Sequence, residues 1–247
     1  MTTLDTDDLS TRAARQAQDF RKVWDWPTRL FHWSLVAAIL GAYATNRLGA
    51  NYFTAHLFFG YATIVLVVFR IVWGFVGTRH ARFSSFVEGP RGVLRYVSAL
   101  GRGRKTRYAG HNPLGAVMTL ILLGALGAEA TLGLFGDDEI FNAGPLAGLV
   151  SKDASLALTS LHRKFFYVIL FAIVLHVGAV FAHVLLKGEP LIRAMLTGFK
   201  PAVLVLPEEA IASSRGVLAV VLLTVLVSAL ALGLQLAPPQ DIDVAGF

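Results

Sequence analysis

Residues 161–186 read LHRKFFYVILFAIVLHVGAVFAHVLL, an apolar stretch long enough to cross a bilayer that nevertheless carries three histidines. An imidazole in hydrocarbon loses its hydration, so each such residue needs a partner or a ligand there. His162 and His176 are fourteen residues apart. That is roughly 1400° of helical rotation, which leaves them within about 40° of one direction along about 21 Å of helix. Two ligands in register, one near each face of a hydrocarbon core of ~30 Å, require partners from other helices at two heights.

The rest of the chain agrees with a membrane setting. Of the 247 residues 55% are hydrophobic and only 15% charged, where a soluble domain carries about a quarter. Five segments are long enough to span: roughly 24–45, 55–77, 113–134, 156–186 and 216–236. The first is the least clean, because Trp24 to Arg29 mixes charge and aromatic character. Cysteine is absent, which excludes disulfides, thiolate metal sites and covalent haem attachment. Residues 1–20 alternate acidic, polar and basic groups without an apolar centre, as a solvated tail does and a cleavable signal does not.

Basic residues orient the spans. Arg12, Arg15, Arg21, Lys22 and Arg29 precede or open the first. Eight more lie between Arg79 and Arg107, and Lys187, Arg193, Lys200 and Arg215 follow the fourth. The other loops carry Arg47 alone, or Lys152 beside Asp137, Asp138, Glu139 and Asp153. This bias predicts a cytoplasmic N-terminus and a periplasmic C-terminus. The net charge of +6 is thus a topology signal, and nucleic acid is not an expected partner because no single basic domain exists.

In that topology His32 lies near the inner end of span 1 and His56 near the outer end of span 2. Span 4 places His162 outside and His176 inside. Depth pairs His56 with His162 and His32 with His176, two bis-histidine sites of the kind that hold two b haems between the helices of a bundle. His183 competes for the inner role. It shares the face of His176 but sits about 10 Å lower, beside Lys187, where a haem propionate, a quinone head group or water would suit it better. His80 and His111 read as interfacial side chains with access to water. Gly60, one turn after His56, and Gly178, beside His176, leave room for a flat macrocycle. Arg70, fourteen residues after His56, should reach the inner site and could hold a propionate bidentately. Arg29, one turn before His32, has the same reading, and both could instead snorkel to water. Asn46, Arg47, Arg163 and Lys164 are the corresponding outer candidates. Glu129, an ionisable group inside span 3, is either a proton site for quinone chemistry or a bonded structural acid.

The strings VWDWPTRLFHW at 23–33, HLFFGY at 56–61 and HRKFFYVILFAIVLHVGAVFAH at 162–183 resemble the bacterial cytochrome b561 and Ni,Fe-hydrogenase cytochrome b family. GHNPLGAVMTL at 110–120 and LLKGEPLIRAMLTGFK at 185–200 add to the likeness, which covers about 23–200. The resemblance implies an all-α membrane protein. A four-helix transmembrane bundle would hold two b haems on His32, His56, His162 and His176, with a fifth transmembrane helix outside that core. Residues 1–22 would be a polar cytosolic tail, 23–200 the bundle, and 201–247 a cytosolic linker with the fifth helix. It further implies a multi-pass protein of the bacterial inner membrane, in contact with membrane lipid. Such a protein carries electrons between a quinone pool and a redox partner such as a c-type cytochrome, a hydrogenase or a dehydrogenase. With no nucleotide fingerprint or soluble catalytic domain, the chain reads as an electron-transfer subunit rather than a complete enzyme. Two alternatives differ in class: a stand-alone quinone-dependent oxidoreductase acting on a small reductant such as superoxide, and a metal-ion transporter using stacked histidines. The transporter lacks the acidic or thiol partners along a polar path that it would need.

Overall fold

A computed structural model describes residues 20–104, 106–139 and 142–237, so most of the predicted N-terminal tail lies outside the described residues. Seven α-helices and two short strands occur among them. In chain order these are β1 (Phe20–Lys22), α1 (Trp26–Leu48), α2 (Phe53–Val76), α3 (Pro90–Gly101), α4 (Pro113–Leu134), α5 (Lys152–Lys187), α6 (Leu191–Thr197), β2 (Phe199–Pro201) and α7 (Gly216–Gln235). Four segments are long and apolar enough to cross a membrane: Ala50–Val76, Pro113–Leu134, Lys152–Lys187 and Gly216–Gln235. They correspond to four of the five expected spans. The remaining one, α1, has 23 residues and sufficient length, but Arg29, His32, Asn46 and Arg47 dilute its apolar character.

The helix ends follow from local chemistry. Asp25 opens α1 by accepting the Thr28 N–H at 2.6 Å, the bond expected of an N-cap carboxylate. Its other oxygen accepts the Thr78 hydroxyl, and Asp25 is fully buried. Asn112 caps α4 in the same way, with the Gly115 N–H on its Oδ1 at 2.8 Å and Pro113 at the first helical position. Ser151 does so for α5, where Oγ meets the Ala154 N–H at 3.3 Å.

The fold divides into two compact units. One is drawn from the chain up to Arg29, Trp73–Met118 and Val177–Gly216; the other from Leu30–Val72, Thr119–His176 and the chain from Val217. The first unit, a cap of loops and helix ends, is centred on Val23, Trp24, Ala109, Ala194 and Val205. Phe20–Lys22, expected within the polar tail, instead pairs antiparallel with Phe199–Pro201. The loop joining α6 to β2 turns at Gly198, whose φ of 91° suits glycine. A Cβ there would meet the Trp24 carbonyl oxygen at 2.7 Å, and the Gly198 oxygen accepts the N–H groups of Val23 and Trp24. Cations close the cap onto carbonyl oxygens: Arg21 on Ala202 and Val205, Arg79 on Glu208, Arg107 on Val203, and Arg215 on Val76. The buried Lys200 donates to the Tyr108 carbonyl at 3.3 Å. Burial holds its amine below the usual lysine range despite Glu189 and Glu209 nearby.

His80 departs from its expected access to water. It is buried, its Nε2 donates to the Glu209 carbonyl at 2.7 Å, and its ring meets Trp24 edge-on at 6.3 Å. His111 likewise packs on Trp24, at 4.9 Å, and on Phe86, at 4.4 Å. Both rings pack on the buried Trp24, which gives them apolar surroundings in place of water. The second unit contains the central stretches of α1, α2, α4 and α5, packed through Phe31, Leu35, Val65, Phe69, Leu123 and Ile169.

Burial lowers the His80 pKa, with Arg79 and Lys200 acting in the same direction and the Glu209 carbonyl and carboxylate opposing it. The unfolded imidazole takes its proton more readily, so the neutral side chain stabilises the cap above about pH 6.5. That contribution is lost as pH falls through the lower folded-state value. The protection factor of the Ile211 amide, which bonds the Lys22 carbonyl, should therefore fall on acidification when each rate is referred to the unstructured exchange rate at the same pH. His80→Gln, which can still donate to the Glu209 carbonyl, should flatten that pH dependence.

Candidate functional site

The second unit contains His32 on α1, His56 on α2, and His162 and His176 on α5. It brings His56 and His162 together, with ring centroids 6.2 Å apart and ring planes at 88°. Each ring is held through its Nδ1 by a backbone carbonyl. His56 Nδ1 lies 2.9 Å from the Ala42 carbonyl oxygen of α1, and His162 Nδ1 lies 3.0 Å from the Glu129 carbonyl oxygen of α4. A carbonyl only accepts, so both Nδ1 atoms carry the proton and each Nε2 keeps a lone pair. This is the tautomer of a metal-binding imidazole, whose other nitrogen characteristically donates to a carbonyl.

The spacing also fits. A metal between two imidazoles needs about 2 Å of bond on each side plus about 1 Å from each nitrogen to its ring centre, or roughly 6 Å between centroids. Gly60 lines the same cavity as His56 and His162, and a Cβ at Gly60 would meet no heavy atom within 4 Å. Open space beside a glycine, next to two lone pairs, is what a flat cofactor requires. Gly133 also lines this cavity, and a Cβ there would lie 3.2 Å from His162 Cε1. Asn46 and Arg163, expected near outer propionates, line this cavity too. Arg47 instead lies over the Tyr43 ring at 6.0 Å.

His32 and His176 are electrostatic neighbours. His32 Nδ1 is buried without a hydrogen-bond partner among the described residues. An orphaned ring nitrogen in an apolar bundle is costly, which suits a side chain whose ring is meant to bind something. Arg70 is 2% exposed, so its guanidinium is held inside the protein rather than snorkelling outward. Arg29 belongs to the cap unit, where its guanidinium donates to the Leu196 carbonyl. Glu129 meets His162 twice: its carbonyl accepts the Nδ1 proton, and its Oε1 lies 3.4 Å from the same nitrogen. It therefore stands as a neighbour that orients His162.

The acidic loop after α4 is largely committed to itself. Asp137 pairs with Lys152 at 2.8 Å, which lowers the aspartate pKa. Asp138 accepts from Asn142.

In the cap unit, His183 gathers polar groups that the sequence did not connect. Its Nδ1 donates to the Ala179 carbonyl at 2.8 Å, leaving Nε2 as acceptor. Around Nε2 stand the Tyr96 hydroxyl at 3.4 Å, Asn112 Nδ2 at 3.4 Å and Lys187 Nζ at 3.3 Å. One lone pair cannot satisfy three donors at normal length, so the cluster has capacity for an incoming oxygen. Nothing local in the sequence linked Tyr96 to His183.

Over residues 23–198 the chain matches the family model for prokaryotic cytochrome b561. No curated protein and no solved structure gives a match. The matched segment spans well over half of the chain and includes all the histidines discussed above. The chain belongs to the prokaryotic cytochrome b561 family, membrane b-type cytochromes of electron transfer.

Proposed function

We propose that this chain is a di-haem b-type cytochrome that carries electrons across the bacterial inner membrane between a quinone pool and a redox partner. A c-type cytochrome, a hydrogenase or a dehydrogenase has the required chemistry. The observation that carries the reading is the His56–His162 pair, two imidazoles 6.2 Å apart with both Nδ1 protons given to backbone carbonyls. His32 and His176 form the second site. In this reading α1 crosses the membrane together with the four more apolar helices, the N-terminus is cytoplasmic and the C-terminus periplasmic. Residues 23–200 are the haem-bearing core and 201–247 a linker with an added anchor.

Bound haem supplies reversible one-electron chemistry; the protein supplies position, electrostatics and protons. The carbonyls of Ala42 and Glu129 hold two ligand rings in orientation and strengthen their basicity. Asn46 and Arg163 are placed to bind propionates, and Gly60 and Gly133 keep side chains out of the macrocycle's space. Arg70 adds a buried positive charge, which favours an anionic propionate near it. Quinol oxidation releases protons along with electrons, so a proton acceptor is needed at the quinone. His183 Nε2 is suited to take a quinol hydroxyl's proton, with Tyr96, Asn112 and Lys187 able to bond the quinone oxygens.

Purified protein should show a bis-histidine b-type absorption spectrum with two haems per chain. His56→Ala or His162→Ala should remove one haem, and His32→Ala or His176→Ala the other. A colourless protein that binds zinc would reject the reading. Gly60→Leu should keep the helical fold, since it enters open space, yet lose about half the haem absorbance. Full haem content in that variant would show that the space beside Gly60 is not the cofactor's.

His183→Ala should retain both haems while slowing quinol-dependent haem reduction by at least about tenfold. Tyr96→Phe should slow it less. Loss of one haem in His183→Ala would instead make His183 a ligand, and an unchanged rate would remove it from the quinone site.

A further inference from the structure

Helix α3 lies outside every segment long and apolar enough to span, yet it exposes apolar side chains. Its residues divide among three faces. Gly92 and Tyr96 point inward and are buried, with the Tyr96 ring edge-on to Tyr108 at 5.6 Å and beneath Lys187 Nζ at 5.7 Å. Leu94, Val97 and Leu100 form a second face, exposed by 68%, 44% and 36%. Their spacing of three residues places them on one arc of the helix. Arg91, Arg95 and Ser98 form the third, at intervals of four and three residues, and Arg102, the first residue past the helix, continues that stripe.

The inward face is already satisfied by protein, so the other two faces need an environment that is apolar on one side and anionic on the other. The segment 77–112 has eight Lys and Arg residues and one carboxylate, Glu88, which lies 3.7 Å from Arg95 at the surface. The chain enters and leaves this segment through α2 and α4, both of which have the length and apolarity of spans. A water-soluble partner would leave the tie to two spans unexplained. A lipid leaflet supplies acyl chains for the leucine–valine face and phosphates for the arginines.

We propose that α3 is a membrane-surface helix that lies in the headgroup plane of an anionic leaflet. Leu94, Val97 and Leu100 enter the acyl boundary, while Arg91, Arg95 and Arg102 bind lipid phosphates. The inference is independent of haem content and of the quinone reading, because it uses only the exposed faces of α3.

The chain lacks cysteine, so single nitroxide labels can be placed on the full-length protein without background. In nanodiscs containing phosphatidylglycerol, labels on Leu94→Cys and Val97→Cys should collide with oxygen in preference to an aqueous nickel chelate. A label on Ser98→Cys should show the reverse preference. In nanodiscs of phosphatidylcholine alone this contrast should shrink at least twofold. The combined change Arg91→Gln, Arg95→Gln and Arg102→Gln should erase the lipid dependence while leaving the visible spectrum unaltered, which separates lost docking from lost folding. Nickel access at 94 and 97 equal to that at 98 would overturn the proposal and assign the face to water or to a soluble partner. Equal burial in both lipid mixtures would overturn the anionic recognition.

Discussion

The hydrogen bonds from His56 to the Ala42 carbonyl and from His162 to the Glu129 carbonyl fix the orientation of both rings in the second unit. An imidazole moved out of water must give its proton to something, and the acceptor it finds decides which nitrogen remains available. Here the acceptors lie on α1 and α4 while the rings come from α2 and α5. The two bonds tie α2 to α1 and α5 to α4, and the His56–His162 contact brings the two pairs together. They also leave two Nε2 lone pairs in a cavity edged by glycine. The cost of desolvating the rings is met by the backbone, and the remaining capacity is what the proposed haem site would use.

A second economy governs the cap. Its loops and helix ends present carbonyl oxygens that no helix can satisfy internally. Arg21, Arg29, Arg79, Arg107, Arg215 and Lys200 supply the missing donors. The same cations produce the charge bias used to orient the spans. The same positive charge that carries the expected orientation also closes the loops of this unit. The arginines of α3 differ in facing outward, which makes that helix the natural contact with an anionic surface.

Glu129 illustrates how one residue can belong to both structure and site. Its position within an apolar helix is unusual on energetic grounds. Its backbone oxygen fixes the ring of His162, and its carboxyl oxygen lies close to the same nitrogen. A proton-carrying role would have to coexist with that geometry, so any change at this residue acts on the histidine as well. His183 is the opposite case: its own Nδ1 is satisfied within its helix, and its Nε2 faces three donors, Lys187 one turn along the same helix and Tyr96 and Asn112 from elsewhere in the cap.

The sequence by itself determined the helical membrane class, four of the spans, and the family, because apolar length and histidine spacing are local and periodic. The capping by Asp25 and Asn112, though it acts over only three residues, emerged from the structure. Only the tertiary structure decided what the histidines touch. The acceptors at Ala42 and Glu129 are backbone atoms, which carry no side-chain signature. The burial of His80, the pairing of Phe20–Lys22 with Phe199–Pro201, and the meeting of Tyr96 with His183 all join residues far apart in the chain. Such contacts depend on how loops close between helices, and no periodicity in the sequence encodes that closure.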